Sequence, residues 1–368
     1  MKTPATDSGR ESRKDWKVVP FQDADLPAIG RFFKRHFPGP GHYGTMGLFH
    51  WRAVEHYLTR GIVNLVKDEG RIVSILSNTP KSLLVCGEES LVAEIGDAFT
   101  DPDYQRQGMQ TLLTLQSIQD AWDRGMKGVY STPDHQTPSL SAFINRANFL
   151  PLEGVEVKSL VLPLNIGPFL RLRGHWLAAQ YVGSLHLTMA YLYFRLMKAL
   201  HAAAGVEIVE LPGLPEDWDR FWEKARKPYD AIFSRSRQAL AWRFFQNPNR
   251  YTVYGAMEQG ELTGYVVHRV SEDTGNRMLI LADFLFLPGR EAHIRALLLK
   301  VLEDALKAGV SHVYTWCSSK SPYYPFLRKY GFLKRNDILL IWVQNEFAAR
   351  LRKTCKTWHF TISDSDNV

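Results

Sequence analysis

The second half of the 368-residue chain repeats the sequence pattern of the first half. In both halves a Trp-Arg pair precedes two alternating strand-like runs, with the tryptophans at Trp51 and Trp242. The separation between matched positions shortens slowly along the chain, up to the last matched pair, Phe149 and Phe332. Slow drift in one direction is typical of a duplicated unit whose loops have shortened. The sequence therefore predicts two units with the same fold.

Each unit shows the mixture of helices and strands typical of an α/β fold. Apolar residues at helical spacing in 110–124, closed by Gly125, predict an amphipathic helix. Residues 71–77 and 91–100 alternate as strands, and 149–163 is expected to be a final hairpin. We expect a mixed sheet packed against helices in each unit. The predicted organisation is a disordered tail (1–15), an N-terminal domain (16–165), an apolar helical linker (166–204), a C-terminal domain (205–346) and a C-terminal tail (347–368).

Residues 174–194 contain no formal charge and are flanked by Arg171, Arg173 and Arg195. The segment is long enough to cross a bilayer as a helix. Polar residues within it, among them His175, are unfavourable in lipid. Three arrangements remain open: a helix packed between the domains, a helix on a membrane surface, and a true span. The repeat argues against the span, because one crossing would place two related units on opposite sides of the membrane.

The composition restricts the partners and the compartment. Lys and Arg outnumber Asp and Glu by 45 to 38, and the net charge of +7 favours anionic partners. Three widely separated cysteines form neither a disulfide framework nor zinc-ligand spacing, so we expect a cytoplasmic protein without a metal site. No Walker loop and no nucleic-acid-binding motif occurs, and no nucleic acid partner is expected.

The most informative segment joins the strand 91–100 to the helix 110–124. Residues 101–109 read DPDYQRQGM, a short polar loop with one glycine that leads directly into the helix. The first N–H groups of a helix have no internal partners and lie at the positive end of its dipole, so this loop can hold a pyrophosphate. Gly108 permits close approach of the backbone, and Arg106 adds positive charge.

This loop resembles the acyl-CoA-binding loop of the GNAT N-acetyltransferase superfamily, whose pattern is Arg/Gln-x-x-Gly-x-Gly/Ala. Gln105 and Gly108 match the pattern, whereas Gln110 stands where Gly or Ala is usual. The resemblance covers residues 16–165, and the repeat extends the fold, without the loop, to 205–346. The two-unit arrangement is similar to tandem acyltransferases that accompany cell-surface polysaccharide synthesis.

The resemblance implies an acyl-CoA donor, an amine acceptor and a set of site residues. In the family a strand backbone amide stabilises the oxyanion, and it maps to Thr100. Glu94 and Asp97 are candidates for the base, and strand alternation predicts opposite faces for them, with Glu94 on the face of Thr100. Asp97 fits a structural hydrogen bond better, because Asp283 repeats it in the half without the loop. The expected cofactor contacts are Ala98, Phe99, Thr100, Gln105, Arg106, Gln107, Gly108, Met109, Gln110 and His135.

The second unit lacks the loop signature, because residues 288–295 have lost the Gln-x-x-Gly spacing. We therefore expect an acyl-CoA site in the first unit and a degenerate second unit that shapes the substrate cleft, with a second active site in that unit as the alternative. Many relatives use a tyrosine to protonate the departing thiolate, but Ile144 and Leu327 occupy its positions here. A coenzyme A thiolate is a tolerable leaving group without that acid.

The sequence thus predicts an acyl-CoA-dependent N-acyltransferase, with acetyl as the expected acyl group and an amino sugar among the candidate acceptors. A second hypothesis is a non-catalytic acyl-CoA-binding scaffold or regulator, which the missing tyrosine and the unassigned base make credible. A third is a tandem GNAT enzyme that takes an aminoacyl group from tRNA, against which the intact residues 105–109 argue. Peripheral membrane contact through 174–194 is a further expectation.

Overall fold

A computed structural model of the chain describes residues 16–38, 46–135, 137, 140–200, 205–273 and 276–366, so the expected tail at 1–15 lies outside the described residues. The described part forms two mixed sheets packed against helices, which confirms the α/β fold class. The strands are β1 (Val18–Pro20), β2 (Ile62–Asp68), β3 (Arg71–Val85), β4 (Glu88–Thr100), β5 (Gly128–Ser131), β6 (Phe149–Pro151), β7 (Val157–Pro163), β8 (Glu207–Glu210), β9 (Ala231–Phe233), β10 (Thr252–Glu258), β11 (Glu261–Asp273), β12 (Asn276–Phe286), β13 (His312–Ser318), β14 (Leu333–Ile338), β15 (Ile341–Val343) and β16 (Trp358–His359). The helices are α1 (Leu26–His36), α2 (Met46–Ala53), α3 (Met109–Asp123), α4 (Leu140–Arg146), α5 (Gly167–Leu172), α6 (Trp176–Leu200), α7 (Trp218–Ala225), α8 (Arg237–Leu240), α9 (Glu291–Lys307), α10 (Tyr323–Lys329) and α11 (Glu346–Thr354).

Each sheet contains strands from both halves of the chain. The first sheet runs β1-β2-β3-β4-β5-β15-β6, with β9 beside β3 and β16 beside β9, and the second runs β14-β7-β13-β12-β11-β10-β8. Strand β15 from the second half therefore lies between β5 and β6, while β7 from the first half lies between β13 and β14. The predicted hairpin at 149–163 is wrong, because β6 and β7 pair in different sheets. The predicted domain boundaries follow the sequence repeat and stay a prediction.

The two tryptophans that mark the repeat meet between the units. The rings of Trp51 and Trp242 stack with centroids 4.0 Å apart and planes 11° from parallel, and both side chains are buried. Contact of a residue with its own counterpart is the pattern that a two-fold axis produces. Together with the exchanged strands, it indicates that the two units are related by an approximate two-fold axis.

Strands β4 and β5 separate where the site is expected. They run in parallel and pair only from Val92 to Glu94, opposite 128–130. Beyond this point β4 continues to Thr100 without β5 beside it, which leaves a crevice at the carboxyl ends of the two strands. A bulge in β4, opposite Leu76 of β3, gives Asp97 a left-handed backbone with φ of 48°.

Residues 176–200 form α6, so the helical expectation for this segment is confirmed. The helix contacts α5 and α9 and leaves much of its surface exposed, so it is not enclosed between the two sheets. Gly183 lies against Gly167 of α5, where an added Cβ atom would come within 2.7 Å of the Gly167 Cα atom. Among the described helices, none combines the length and the apolar character that crossing a membrane requires.

The C-terminal residues 358–365 are buried rather than forming a loose tail. Trp358 and His359 form β16 beside β9, and Phe360 packs against Phe233. The chain then passes between the two units and ends, in the described part, at Asp366 beside β3. This course brings the C-terminal segment to the face of β3 and β4 that carries Glu94.

Candidate active site

The loop before α3 presents unpaired backbone donors to solvent. Gly108 is the N-cap of α3 with φ of 85°, and no side chain caps the first N–H groups of the helix. The first turn contains no acidic residue, and a Cβ atom added at Gly108 would meet nothing within 4 Å. Residues 105–108 are exposed. The loop can therefore receive an anion at the positive end of the helix dipole.

Side chains hold this loop in place. The Gln105 Nε2 atom donates to the carbonyl oxygen of Thr100 over 3.2 Å, and Trp16 Nε1 donates to Gln107 Oε1 over 3.1 Å. Gln110 turns into the sheet, where its Nε2 atom lies 3.0 Å from Ser74 Oγ and 3.0 Å from Thr100 Oγ1. The long side chain at this position therefore does not extend over the helix N-terminus.

Thr100 lies at the edge of the crevice. The amide of the next residue, Asp101, donates to Val73 of β3 over 2.9 Å. Because N–H groups alternate between the two edges of a strand, the Thr100 N–H points away from β3, toward the side on which β5 has ended. This geometry leaves the Thr100 amide facing the place where a reacting carbonyl would enter.

The remaining predicted contacts are distributed around this centre. Ala98 lies in β4 next to the bulge. Phe99 packs on His36, the last residue of α1, and on Phe37, which follows the helix. Met109 is buried beneath the loop, while Arg106 is exposed in it. His135 is exposed after β5, with its Nε2 atom 3.2 Å from the carbonyl oxygen of Asp337. This contact joins His135 to β14 of the second sheet.

The expectation that Glu94 and Asp97 lie on opposite faces of β4 is wrong. The bulge adds one residue to β4, which turns the Asp97 carboxylate toward Ser77 Oγ, at 2.6 Å. Ser77 pairs with Gly96, two residues from Glu94, so both carboxylates lie on the same face of the sheet. The shift also moves Thr100 to the face opposite Glu94. Asp97 forms a buried ion pair with Arg52 of α2, in agreement with the structural role expected for it.

Glu94 belongs to a buried ionic cluster that the C-terminal segment completes. Lys81 Nζ lies 2.8 Å from Glu94 Oε2 and 2.9 Å from Asp366 Oδ1. Asp366 also accepts a hydrogen bond from Thr79 and lies 3.8 Å from Arg52 Nε. Lys81 and Glu94 are both less than 5% exposed, so their charges are stabilised by one another rather than by water.

The two carboxylates around Lys81 have opposite protonation tendencies. Burial raises the pKa of Glu94, and the neighbouring Asp366 adds to the rise, although Lys81 opposes it. Against the effect of burial, Lys81 and Arg52 hold the pKa of Asp366 below its ordinary value. Glu94 is therefore the member of the pair that more readily takes up a proton.

A hydroxyl connects Glu94 to the crevice. Thr132, half-buried just after β5, donates to Glu94 Oε1 over 3.1 Å and lies 2.8 Å from Ser365 Oγ. Tyr130 Oη donates to the carbonyl oxygen of Asp364 over 2.6 Å and lies 3.4 Å from Glu94 Oε2. Burial raises the pKa of Tyr130 well above its ordinary value, so this phenol stays protonated as a donor.

Sequence reasoning missed the residues that surround Glu94. Lys81 is a lysine within a strand of otherwise apolar or small residues, and a buried lysine needs an anionic partner; this signal was available. Thr132 carries no such signal. Asp364 and Asp366 lie in a polar C-terminal run, and their contacts with β3 depend on a chain path that sequence patterns do not reveal.

The second unit blocks the positions that are open in the first. Phe286 is the counterpart of Thr100, since each lies three residues after its matched aspartate. The Phe286 N–H donates to the buried Tyr323 Oη over 3.0 Å. At the matching helix, α9, the acidic Glu291 occupies the first turn, and Arg290 pairs with Glu258 over 2.7 Å. The backbone donor of this unit is therefore occupied, and its helix N-terminus, although no side chain caps it, carries an acidic residue that would repel a pyrophosphate.

A second buried ion cluster anchors the C-terminal segment to the second unit. Arg235 lies 3.0 Å from Asp283 and 2.8 Å from Asp364, and its side chain is 1% exposed. Tyr265 donates to Asp283 over 2.6 Å. Against the effect of burial, Arg235 holds the pKa of Asp283 below its ordinary value.

A small cavity opens between the two units next to Asp366. Its walls come from α2 of the first unit and from 243–251 of the second, and the residues are Leu48, Trp51, Arg52, Arg243, Phe244, Asn247, Tyr251 and Asp366. Part of the predicted acceptor region, residues 39–45, lies outside the described residues. Within the described ranges, no cluster of His, Cys, Asp and Glu could hold a metal ion.

Comparison with known proteins agrees with this geometry. Residues 17–143 match the family described as "Acetyltransferase (GNAT) domain". A tandem GNAT protein from the clavulanic acid biosynthesis pathway superposes with a TM-score of 0.57 at 15% identity, over 89% of this chain and 98% of that one. A GCN5-related N-acetyltransferase from Anabaena variabilis gives 0.60 at 11% identity, over 91% and 74%. The Saccharomyces cerevisiae N-myristoyltransferase with bound myristoyl-CoA gives 0.59 at 12% identity, over 89% and 78%. Among proteins with curated descriptions, no significant sequence match was found.

Proposed function

We propose that this chain, which carries a GNAT acetyltransferase domain in its first half and has the fold of tandem GNAT proteins, transfers an acyl group to an amine at a single site in the first unit. A GNAT acetyltransferase is an N-acyltransferase, and its donor substrate is an acyl-CoA. The proposal concerns where the donor binds, which residues act on it and what kind of amine accepts the acyl group.

The contrast between the two units carries the proposal. In the first unit the N-terminus of α3 is uncapped, and the Thr100 N–H points to the side on which β5 no longer pairs with β4. In the second unit the matching N–H is occupied by Tyr323. We therefore assign the pyrophosphate to the loop 105–109 and the acyl carbonyl to the Thr100 N–H, which would stabilise the oxyanion.

Glu94 is the proposed acceptor of the amine proton. It does not face the crevice directly, so the proton would pass through the Thr132 hydroxyl, which donates to Glu94 and lies at the carboxyl end of β5. The raised pKa of Glu94 brings its carboxylate nearer to the pH at which a base is most effective. Asp97 would act by positioning Arg52 and thereby the acidic end of the C-terminal segment.

The acceptor would bind at the cavity between the units, which would have to widen to admit it because its volume is about 10 Å³. The lining is largely apolar, and Asn247, Tyr251 and the Asp366 carboxylate are among its polar members that could bind a small hydroxylated amine; an amino sugar is our candidate. A cytoplasmic location is part of the same proposal, because the donor is a cytoplasmic metabolite and the three cysteines are unpaired.

Titration of the purified chain with acetyl-CoA is the first test, and we expect one molecule bound per chain by isothermal calorimetry. The single open loop is the reason for this stoichiometry. Two molecules per chain would contradict the assignment of the second unit as a closed one. No binding of acetyl-CoA or of longer acyl-CoA by the folded protein would contradict the donor assignment.

Glu94→Gln is expected to lower kcat/KM about 10²-fold or more, the contribution typical of a general base. Only the ionised carboxylate accepts a proton, so the wild-type rate should rise with pH through the pKa of Glu94, which lies above that of an ordinary glutamate. The variant should lose this rise and keep only the one that comes from deprotonation of the acceptor amine. Both the rate and its pH dependence are measured by release of the CoA thiol in assays with acetyl-CoA and glucosamine.

Glu89→Gln is the matched control, because Glu89 is an exposed carboxylate on the same strand, and it should leave the pH profile unchanged. If Glu94→Gln lowers the rate but keeps the ionisation assigned to Glu94 in addition to that of the acceptor amine, Glu94 is a positioning residue and not the base.

The competing function is a non-catalytic acyl-CoA-binding protein. The observation in its favour is that both carboxylate oxygens of Glu94 are engaged within the chain. Binding of acetyl-CoA without thiol release in a screen of amines would favour it over the enzyme.

A further inference from the structure

Helix α6 exposes an apolar surface that no other part of the described chain covers. The residues that point away from the protein recur at helical spacing and are between 54% and 74% exposed: Leu177, Tyr181, Leu185, Leu192 and Leu196. Trp176 and Met189, which are 68% and 58% exposed, extend this surface, and so does Leu172 of α5, which is 67% exposed. We call these side chains the α6 stripe. An exposed apolar area of this size marks an interaction site.

The stripe is not needed to hold the helix to the protein. The buried residues of α6 lie on its opposite face. They are Ala179, Gly183 and Phe194, which pack against the second unit and α5. His186 Nδ1 lies 3.0 Å from the Leu164 carbonyl oxygen and adds a polar contact on the inner side. The helix is therefore anchored by one face and presents a second apolar face to the outside.

The charges around the stripe have one sign. No Asp or Glu occurs between Glu156 and Glu207, whereas Arg171 and Arg173 precede the stripe and Arg195 and Lys198 lie at its other end. All four cations are exposed, and within the described residues Lys198 alone among them lies near an acidic group, 3.7 Å from Glu303. An apolar helix face with cations at both ends fits the boundary between acyl chains and anionic headgroups.

The charge pattern disfavours a second copy of the chain as the occupant. Parallel pairing of two stripes would place Arg171 and Arg173 against the same residues of the other copy. Antiparallel pairing would place them against Arg195 and Lys198. In both cases cations face cations, and the paired helices contain no acidic residue to compensate.

We propose that residues 167–200 dock this protein onto an anionic lipid bilayer, with α6 lying in the plane of the surface. The α6 stripe enters the region just below the headgroups, and the four basic residues contact lipid phosphates. Aromatic residues suit this depth, and Trp176, Tyr181 and Tyr191 are all exposed on the helix. The proposal stands on the surface of α6 and does not depend on the acyl-transfer chemistry.

The test is co-sedimentation of the full chain with vesicles of phosphatidylcholine, alone or mixed with phosphatidylglycerol. We expect binding to the mixed vesicles, weakened by salt, and little binding to phosphatidylcholine alone. Leu185→Glu with Leu192→Glu should weaken binding at least about tenfold, because it removes apolar contact and adds negative charge. Arg171→Gln with Arg173→Gln should weaken it about tenfold by removing two headgroup contacts.

Leu115→Glu with Leu333→Glu is the matched control, since these leucines are 46% and 54% exposed on other elements and the change in charge is the same. It should bind as the wild type does, and thermal unfolding should show that all variants are folded. Failure of the wild type to bind mixed vesicles would overturn the proposal. So would equal binding by the Leu185/Leu192 variant, or a wild-type dimer in light scattering that this variant dissociates.

Discussion

Replacing Arg235 with methionine is expected to lower the free energy of unfolding by about 3–5 kcal/mol, the range seen when one partner of a buried ion pair is removed. Methionine keeps most of the apolar volume and removes the charge. Asp283 and Asp364 would then lie close together in the interior with no cation between them. The C-terminal segment would lose its main anchor to the second unit as well.

The loss of unfolding free energy in the Arg235→Met variant should depend on pH. Without Arg235, burial and mutual repulsion raise the pKa of both aspartates in the folded state. A raised folded-state pKa stabilises the fold at low pH, and that stability is lost as pH rises through it. In the wild type Arg235 holds the pKa of Asp283 low against the effect of burial, so the contribution of Asp283 is complete at both pH 5 and pH 8 and is lost only as pH falls below the ordinary aspartate range. The difference between wild type and variant should therefore be larger at pH 8 than at pH 5.

Urea unfolding at the two pH values measures both effects. Arg220→Ala is the control, because Arg220 and Glu261 form an exposed pair 3.5 Å apart, and such pairs contribute at most about 1 kcal/mol. An Arg235→Met variant no less stable than the Arg220→Ala variant would show that the buried cluster is not held by Arg235.

Gly108→Glu should weaken acetyl-CoA binding more than about 100-fold, because a carboxylate placed at the N-terminus of α3 repels the pyrophosphate and occupies its space. The added side chain meets open space rather than protein, so the fold has room for it. The left-handed backbone at this position costs a non-glycine residue about 1 kcal/mol. Calorimetric titration with acetyl-CoA gives the affinity.

Gly289→Glu provides a closely matched control. Gly289 lies in the corresponding loop of the second unit, has φ of 76°, and also faces open space, so the strain of the substitution is comparable. We expect this variant to bind acetyl-CoA as the wild type does. If the two variants lost affinity equally, the donor site would not be confined to the first unit.

Sequence patterns were sufficient for the repeat and for the helix after the loop, although the hairpin predicted at 149–163 was wrong. The repeat predicted two related units, and the spacing in 110–124 predicted a helix that the structure places at Met109–Asp123. These features depend on neighbouring residues and on periodicity, which the sequence displays directly. The match of Gln105 and Gly108 to the loop pattern likewise needs only nine consecutive residues.

The orientation of the acidic residues could not be read in the same way. Alternation gives opposite faces to residues separated by an odd number of positions, and a single inserted residue reverses that result. The bulge at Asp97 directly follows Gly96, and an isolated glycine inside a strand is a signal for a bulge that the alternation argument did not use. The contact of Lys81 with Asp366 joins residues far apart in the chain, and tertiary packing alone determines it.

The exchange of β7 and β15 has a consequence for how the chain is made. The first sheet has a gap between β5 and β6 until residues 341–343 leave the ribosome, so the N-terminal half cannot finish folding while the rest is being synthesised. Sequential folding of independent domains is the usual course for large proteins. Here the first half keeps unpaired strand edges until the second half supplies β15.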